Sequence, residues 1–210
     1  MIAQAVVLGV RFVCLLGSLL VTAGCAMRAE FSLAAVENRI ITASQWGGTP
    51  ADEAAARKHS INRITLHHQG VLFPPENSPA QYLQNLQTWS RNTRKWPDIP
   101  YHYLIDLDGK TYEGRDIRFS GDTNTEYDPT GHALIELVGN YEVAEPSQFQ
   151  LDATVELMTM LAAKYAVPVD AIKGHKDFSA QTVCPGKNLY RYLENGYFQQ
   201  RVSANLATLH

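Results

Sequence analysis

"INRITLHHQG", residues 61–70, decides how the rest of this 210-residue chain is read. β-branched residues recur through it at the alternation of a strand, so Ile61–His67 is predicted to be one. The strand ends on a histidine pair, and the following "QGVLFPPENSP" is a loop by its glycine and prolines. A histidine closing a strand can project from the sheet edge into a cleft. Successive side chains on a strand point to opposite faces, so of His67 and His68 only one is expected in any such cleft. His67 is the candidate.

Moving outward, "SPAQYLQNLQTW" predicts a helix. Ser78 is its cap, Pro79 takes the first position, and Gln81 completes a capping box. Tyr82, Leu83, Leu86 and Trp89 fall on one face and are expected to pack in the core. Upstream, "TPADEAAARKH" predicts a short helix capped by Thr49, with Pro50 in the first turn. Downstream, "PYHYLIDLDGKTYEGR" predicts a β-hairpin turning at Asp108-Gly109, and "SGDTNTEYDPTG" a polar loop. "HALIELVGNY" reads as an inner strand, and "QLDATVELMTMLAAKYAV" as a long helix with one apolar face. "GKNLYRYLENGYF" reads as a last helix. Strands interleaved with helices imply a mixed α/β fold, a central mixed sheet flanked by helices, in one domain spanning residues 41–210.

Hydrophobic residues make up 45% and charged residues 19%, the balance of a globular protein with a real core. A net charge of −3 gives no basic face for nucleic acid. The N-terminal "VVLGVRFVCLLGSLLVTAGC" is nearly uncharged, with Arg11 its only charge. It is long enough to span a bilayer as an anchor helix, and it also has the form of a secretory signal. Its end, "VTAGC", resembles the lipobox of bacterial lipoproteins. That resemblance implies a signal peptide over residues 1–25, Cys25 as the lipid-attachment residue, and a tether over residues 26–40. Either reading puts the domain outside the cytoplasm. The lipoprotein reading, with Ala26 after the cysteine, implies an outer-membrane anchor facing the periplasm. A monomer is expected. Of the three cysteines, Cys14 and Cys25 fall in this segment, which leaves Cys184 alone in the domain with no intramolecular disulfide to form.

Cys184 ends the segment "KGHKDFSAQTVCPG", residues 173–186, nine positions after His175. Pro185-Gly186 offers a turn that folds the loop back. Histidine nitrogen and thiolate sulfur both suit zinc, and a catalytic zinc site takes three protein ligands and keeps one position open. His175 and Cys184 supply two, and His67 is the candidate third. His59 and His132 lie in segments predicted to be at the surface, and His102 is predicted to be packed or hydrogen-bonded. Glu136, inside the apolar "LIELVG", is costly unless it faces a cleft or a partner.

"ITLHHQG", "PYHYLIDLDGKTYEGR", "ALIELVGN" and "GHKDFSAQTVCPG" occur in this order. Together they resemble the type-2 N-acetylmuramoyl-L-alanine amidases, a superfamily that includes the peptidoglycan recognition proteins and a phage amidase, over about residues 40–195. The resemblance implies zinc held by His67, His175 and Cys184. It implies hydrolysis of the amide between N-acetylmuramic acid and L-alanine, with peptidoglycan or muropeptides as partners. Glu136 matches a catalytic glutamate of the cytosolic amidases, and Tyr101 a tyrosine important in the phage enzyme. Thr182 stands where the phage enzyme has lysine. Many relatives carry a histidine near the position of Asp122, which this chain lacks. Non-catalytic relatives of the same fold commonly lack a metal ligand, so a muropeptide-binding module is the alternative. Asp177 could orient His175 or cap a turn.

Overall fold

The computed structural model describes residues 31–209. The signal segment, Cys14, Cys25 and residues 26–30 of the expected tether lie outside the described residues. Among the described residues, no helix is long and apolar enough to cross a membrane.

Five strands form one sheet: β1 (Arg63–His68), β2 (Tyr103–Ile105), β3 (Thr111–Glu113), β4 (His132–Leu137) and β5 (Ile172–Gly174). Their order is β3-β2-β4-β1-β5. β2 and β3 are the antiparallel hairpin, and the other pairings are parallel. Gly109 turns that hairpin at φ +80°. β4, the middle strand, and β1 beside it are buried along almost their whole length, which is why "HALIEL" carries so little polar sequence. The helices are α1 (Leu33–Glu37), α2 (Pro79–Asn92), α3 (Gln148–Tyr165), α4 (Lys187–Glu194) and α5 (Tyr197–Leu206).

Side-chain alternation divides the sheet into two chemically different faces. Ile64 and Leu66 of β1 and Ala133, Ile135 and Leu137 of β4 pack into the larger core. They meet Leu151, Val155 and Met158 of α3, Leu189 of α4, and Phe198 and Val202 of α5. On the other face Leu104 of β2 joins Leu83 of α2, Trp46, Ile99 and Tyr112 in a smaller cluster. His67 and Glu136, each one residue out of phase with the larger core, belong to this second face. They are direct partners in the β1–β4 register.

Several sequence expectations change. Residues 49–59 hold a turn at residues 53–55 and an isolated bridge from Lys58 to Phe119 rather than a helix. Thr49 does not cap a helix because its hydroxyl is held by Gln87 and Arg91 of α2, and Asp52 caps a turn instead by accepting from the backbone of Ala54 and Ala55. Ser78 caps α2 as expected, but the Gln81 side chain donates to Asn85 rather than closing a capping box. The last helix is two helices, broken where Gly196 takes φ +76° and Asn195 accepts from the Tyr197 amide. His132 is buried on β4, not at the surface. Residues 31–40, expected as tether, contain α1, whose Val36 is buried against α3 and the larger core.

Candidate metal centre and catalytic cleft

The parallel strands β1 and β4 end side by side, and their C-terminal ends open into a cleft of about 340 Å³. Its floor holds His67, Glu136, His175 and Cys184; α2 and Trp96 form one wall, and the loop at Asp122–Thr125 with Thr182 forms the other. His67 reaches the floor because it closes β1 on the second face. His175 follows β5, the strand on the other side of β1, so the two imidazoles converge with ring centroids 4.6 Å apart.

Cys184 arrives by a folded-back loop. The Lys176 amide donates to the Cys184 carbonyl at 2.8 Å, and the Cys184 amide donates to the Thr182 hydroxyl at 3.0 Å. Gly186 makes the return at φ +86°, and a Cβ there would sit 2.4 Å from the Tyr141 carbonyl carbon. Only glycine passes at that point. The thiol then lies under the end of β1, accepting from the His68 amide at 3.3 Å. His68 itself turns away from the metal-ligating group, and its Nδ1 accepts from the Tyr141 amide.

The three predicted donors do meet. One ligand atom each from His67, His175 and Cys184 lies within 4.8 Å of the others, and all three residues are buried. His67 Nδ1 is 3.6 Å from the Cys184 sulfur. A tetrahedral zinc with Zn–N of about 2.05 Å and Zn–S of about 2.3 Å sets its nitrogen and sulfur about 3.6 Å apart. The structural histidines behave differently. His59 and His102 use both ring nitrogens on backbone groups. His67 does not, and its Nε2 is buried with no partner among the described residues. Burial, followed by the neighbouring histidines, holds the His67 pKa well below the ordinary imidazole value, and burial takes His175 down to about 4. Both rings are therefore neutral, as ligands must be. Burial pushes the Cys184 thiol up to about 12, so without a cation it keeps its proton. A divalent ion inverts that preference, because a coordinating thiol is deprotonated. The donor set fits zinc.

Glu136 is fully buried. Its Oε1 accepts from the Tyr82 hydroxyl at 2.6 Å, while its Oε2 has no partner. Desolvation raises its pKa to about 8, opposed by the Tyr82 bond. Tyr101 packs its ring 5.1 Å from that of His67, and burial, then the nearby Glu136, raises its phenol well above the usual value. Asp177 does not touch the site. Its two oxygens accept from the Gly174 amide and the Tyr190 hydroxyl, which makes it a turn cap.

Three residues that matter here were not singled out by the sequence, although Arg115 ends the quoted "PYHYLIDLDGKTYEGR". Tyr82 was assigned to a core stripe, but only Leu83 of that stripe is fully buried in the small cluster; Tyr82, Leu86 and Trp89 line the cleft. No pattern in the stripe set Tyr82 apart, because Trp89 also carries a polar tip on an apolar body. Thr125 places its hydroxyl 2.8 Å from His175 Nε2. Arg115, buried, donates to the carbonyls of Asp98, Ile99 and Ser120 and pairs with Asp122. It thereby ties the strand entry before Tyr101 to the opposite wall.

Comparison with known proteins bears on the family and the fold. The family profile for N-acetylmuramoyl-L-alanine amidase matches residues 57–187. Peptidoglycan-recognition protein SD of Drosophila melanogaster is 33% identical over 163 residues, 74% of this chain and 84% of that one. Peptidoglycan recognition protein 1 of Mus musculus is 29% identical over 181 residues, 81% and 94% of the two chains. The crystal structure of the Drosophila SD protein superposes with a TM-score of 0.66 at 30% identity, covering 74% of this chain and 92% of that one. The ectodomain complex of recognition proteins LCa and LCx, solved with tracheal cytotoxin bound, gives a TM-score of 0.64 at 26% identity over 74% and 94%.

Proposed function

The chain belongs to the N-acetylmuramoyl-L-alanine amidase family, together with peptidoglycan recognition proteins, and from that premise we propose that it is a zinc-dependent amidase. Its substrate on this reading is the amide between the lactyl group of N-acetylmuramic acid and the L-alanine of the stem peptide, in peptidoglycan or its fragments. His67, His175 and Cys184 would hold the zinc. Zinc, when bound, supplies Lewis acidity towards the scissile carbonyl and towards water at neutral pH.

The protein's own residues supply the rest. On this reading Glu136 takes a proton from the attacking water and delivers it to the alanine nitrogen as the C–N bond breaks. General acid–base help of this kind contributes typically about 10²–10⁴-fold. Tyr82 occupies Oε1, so the unpartnered Oε2 is the oxygen available for that proton. A carboxyl of raised pKa ionises more readily beside a cation, so the metal and the base assist each other. Tyr101, whose hydroxyl stays protonated, can donate to the oxygen that gains charge on the carbonyl. Thr182 lines the same wall and has its hydroxyl oxygen engaged by the Cys184 amide, and it adds no positive charge.

The observation that carries this reading is the pairing of a complete donor triad with a buried, half-satisfied carboxylate in one cleft. A module that only binds needs neither. The relatives' names favour the second reading, recognition of muropeptides without cleavage. Incubating the purified full chain with purified peptidoglycan separates the two. Release of stem peptides with new L-alanine amino termini is expected. A folded, zinc-loaded chain that sediments with the polymer and frees none is a binding module.

We propose further, from residues 1–25, that the protein is a lipid-anchored envelope protein. Radioactive fatty acid should label the chain, and Cys25→Ala should abolish the label.

A further inference from the structure

The loop that runs on from Asp122 reaches the candidate metal centre through several contacts. Three consecutive residues of it grip the loop 175–184. Thr125 Oγ1 lies 2.8 Å from His175 Nε2. Glu126 accepts from the Ser179 hydroxyl at 2.6 Å. Tyr127 lays its ring 5.0 Å from that of His175 and stacks on Phe178. The grip is itself braced, because Thr123 and Thr125 share a hydroxyl contact at 2.9 Å and the Thr125 amide donates to Thr123 Oγ1.

We infer that Thr125 is a positioning residue for the metal centre, fixing the tautomer of His175 by accepting its Nε2–H and so leaving Nδ1 as the nitrogen that ligates. A ligating histidine usually has its other nitrogen held in this way, and loss of that partner typically costs about 10–100-fold in metal affinity. His67 has no such partner among the described residues. The orientation of the pair of imidazoles therefore depends on the His175 side. The inference rests on the zinc reading above, not on whether the chain cuts.

The test measures zinc binding to the full chain against a competing chelator. Thr125→Val, close to threonine in volume, should weaken zinc binding by about 10–100-fold. Thr125→Ser should keep most of the wild-type affinity. In the zinc-loaded wild type, ¹⁵N spectra of the histidines should show His175 protonated at Nε2 and ligating through Nδ1. Wild-type affinity in folded Thr125→Val overturns the inference. So does ligation through Nε2, and that measurement decides the matter alone if the valine variant fails to fold. A wild-type chain that takes up no zinc overturns this inference and the zinc reading together. Zinc binding as described without release of stem peptide overturns only the amidase reading.

Discussion

Glu136 sits on β4, fully buried at the floor of the cleft, and half its carboxylate has no partner. Its folded pKa of about 8 stands above the ordinary carboxylate value. In the metal-free chain its contribution to stability is therefore fully present below the unfolded pKa and is lost as pH rises towards about 8. Glu136→Gln cannot titrate, so chelator-treated Glu136→Gln should gain on wild type in melting temperature as pH rises from 5 to 8. With zinc present the same variant should keep its metal and lose turnover by about 10²–10⁴-fold; unchanged turnover would remove Glu136 from the chemistry. Cys184→Ser should lose both zinc content and activity, and full activity would remove the thiol from the centre. These residues were legible in the sequence for physical reasons. A histidine closing an alternating strand and a charge inside an apolar strand both stand out against a pattern. Thr125 and Tyr82 did not, because a threonine in a polar loop and a tyrosine in an apolar stripe break no pattern. Only the three-dimensional meeting with His175 and Glu136 distinguishes them.

At the level of elements, α2 is the wall whose position sets the cleft. The phase of its stripe was readable, but phase alone does not tell whether a face meets protein or open space. Leu83 met protein, and Leu86 and Trp89 met the cleft. Tyr82 lies one turn into the helix, so the Ser78 cap and the Tyr82–Glu136 bond act on the same short stretch. Ser78→Ala should cost about 1 kcal/mol, read as a lower urea midpoint at unchanged slope. Tyr82→Phe should lower turnover while leaving zinc content and KM near wild type, because it frees Oε1 without touching the donors. A rise in KM alone would make Tyr82 a contact for substrate rather than a support for Glu136. The helix expected at residues 49–59 failed for a reason of the same kind. Its capping threonine had a better tertiary offer from Gln87 and Arg91.

For the whole molecule, the metal centre joins segments far apart in the chain: the end of β1 and the loop that follows β5, with His67 and Cys184 separated by 117 positions. Zinc bound only by the folded chain should stabilise it by about 2.7 kcal/mol at a hundred times its dissociation constant. At this chain length that corresponds to a melting temperature about 5–10 °C higher than after chelation. An equal melting temperature with and without zinc would show that the donors do not close on a metal. The order of β1 to β4 and of the long helices was readable from periodicity, whereas β5, three residues long and running into the His175 loop, has no repeat to read. The docking of residues 31–40 was not, since one short helix with a single buried valine has too little pattern to separate it from a linker. That helix has a directional consequence. α1 packs against α3, behind the sheet, whereas the mouth between α2 and the polar loops opens in front. α1 therefore brings the first described residues to the side of the sheet opposite the mouth, so whatever lies upstream of residue 31 joins the domain away from the cleft.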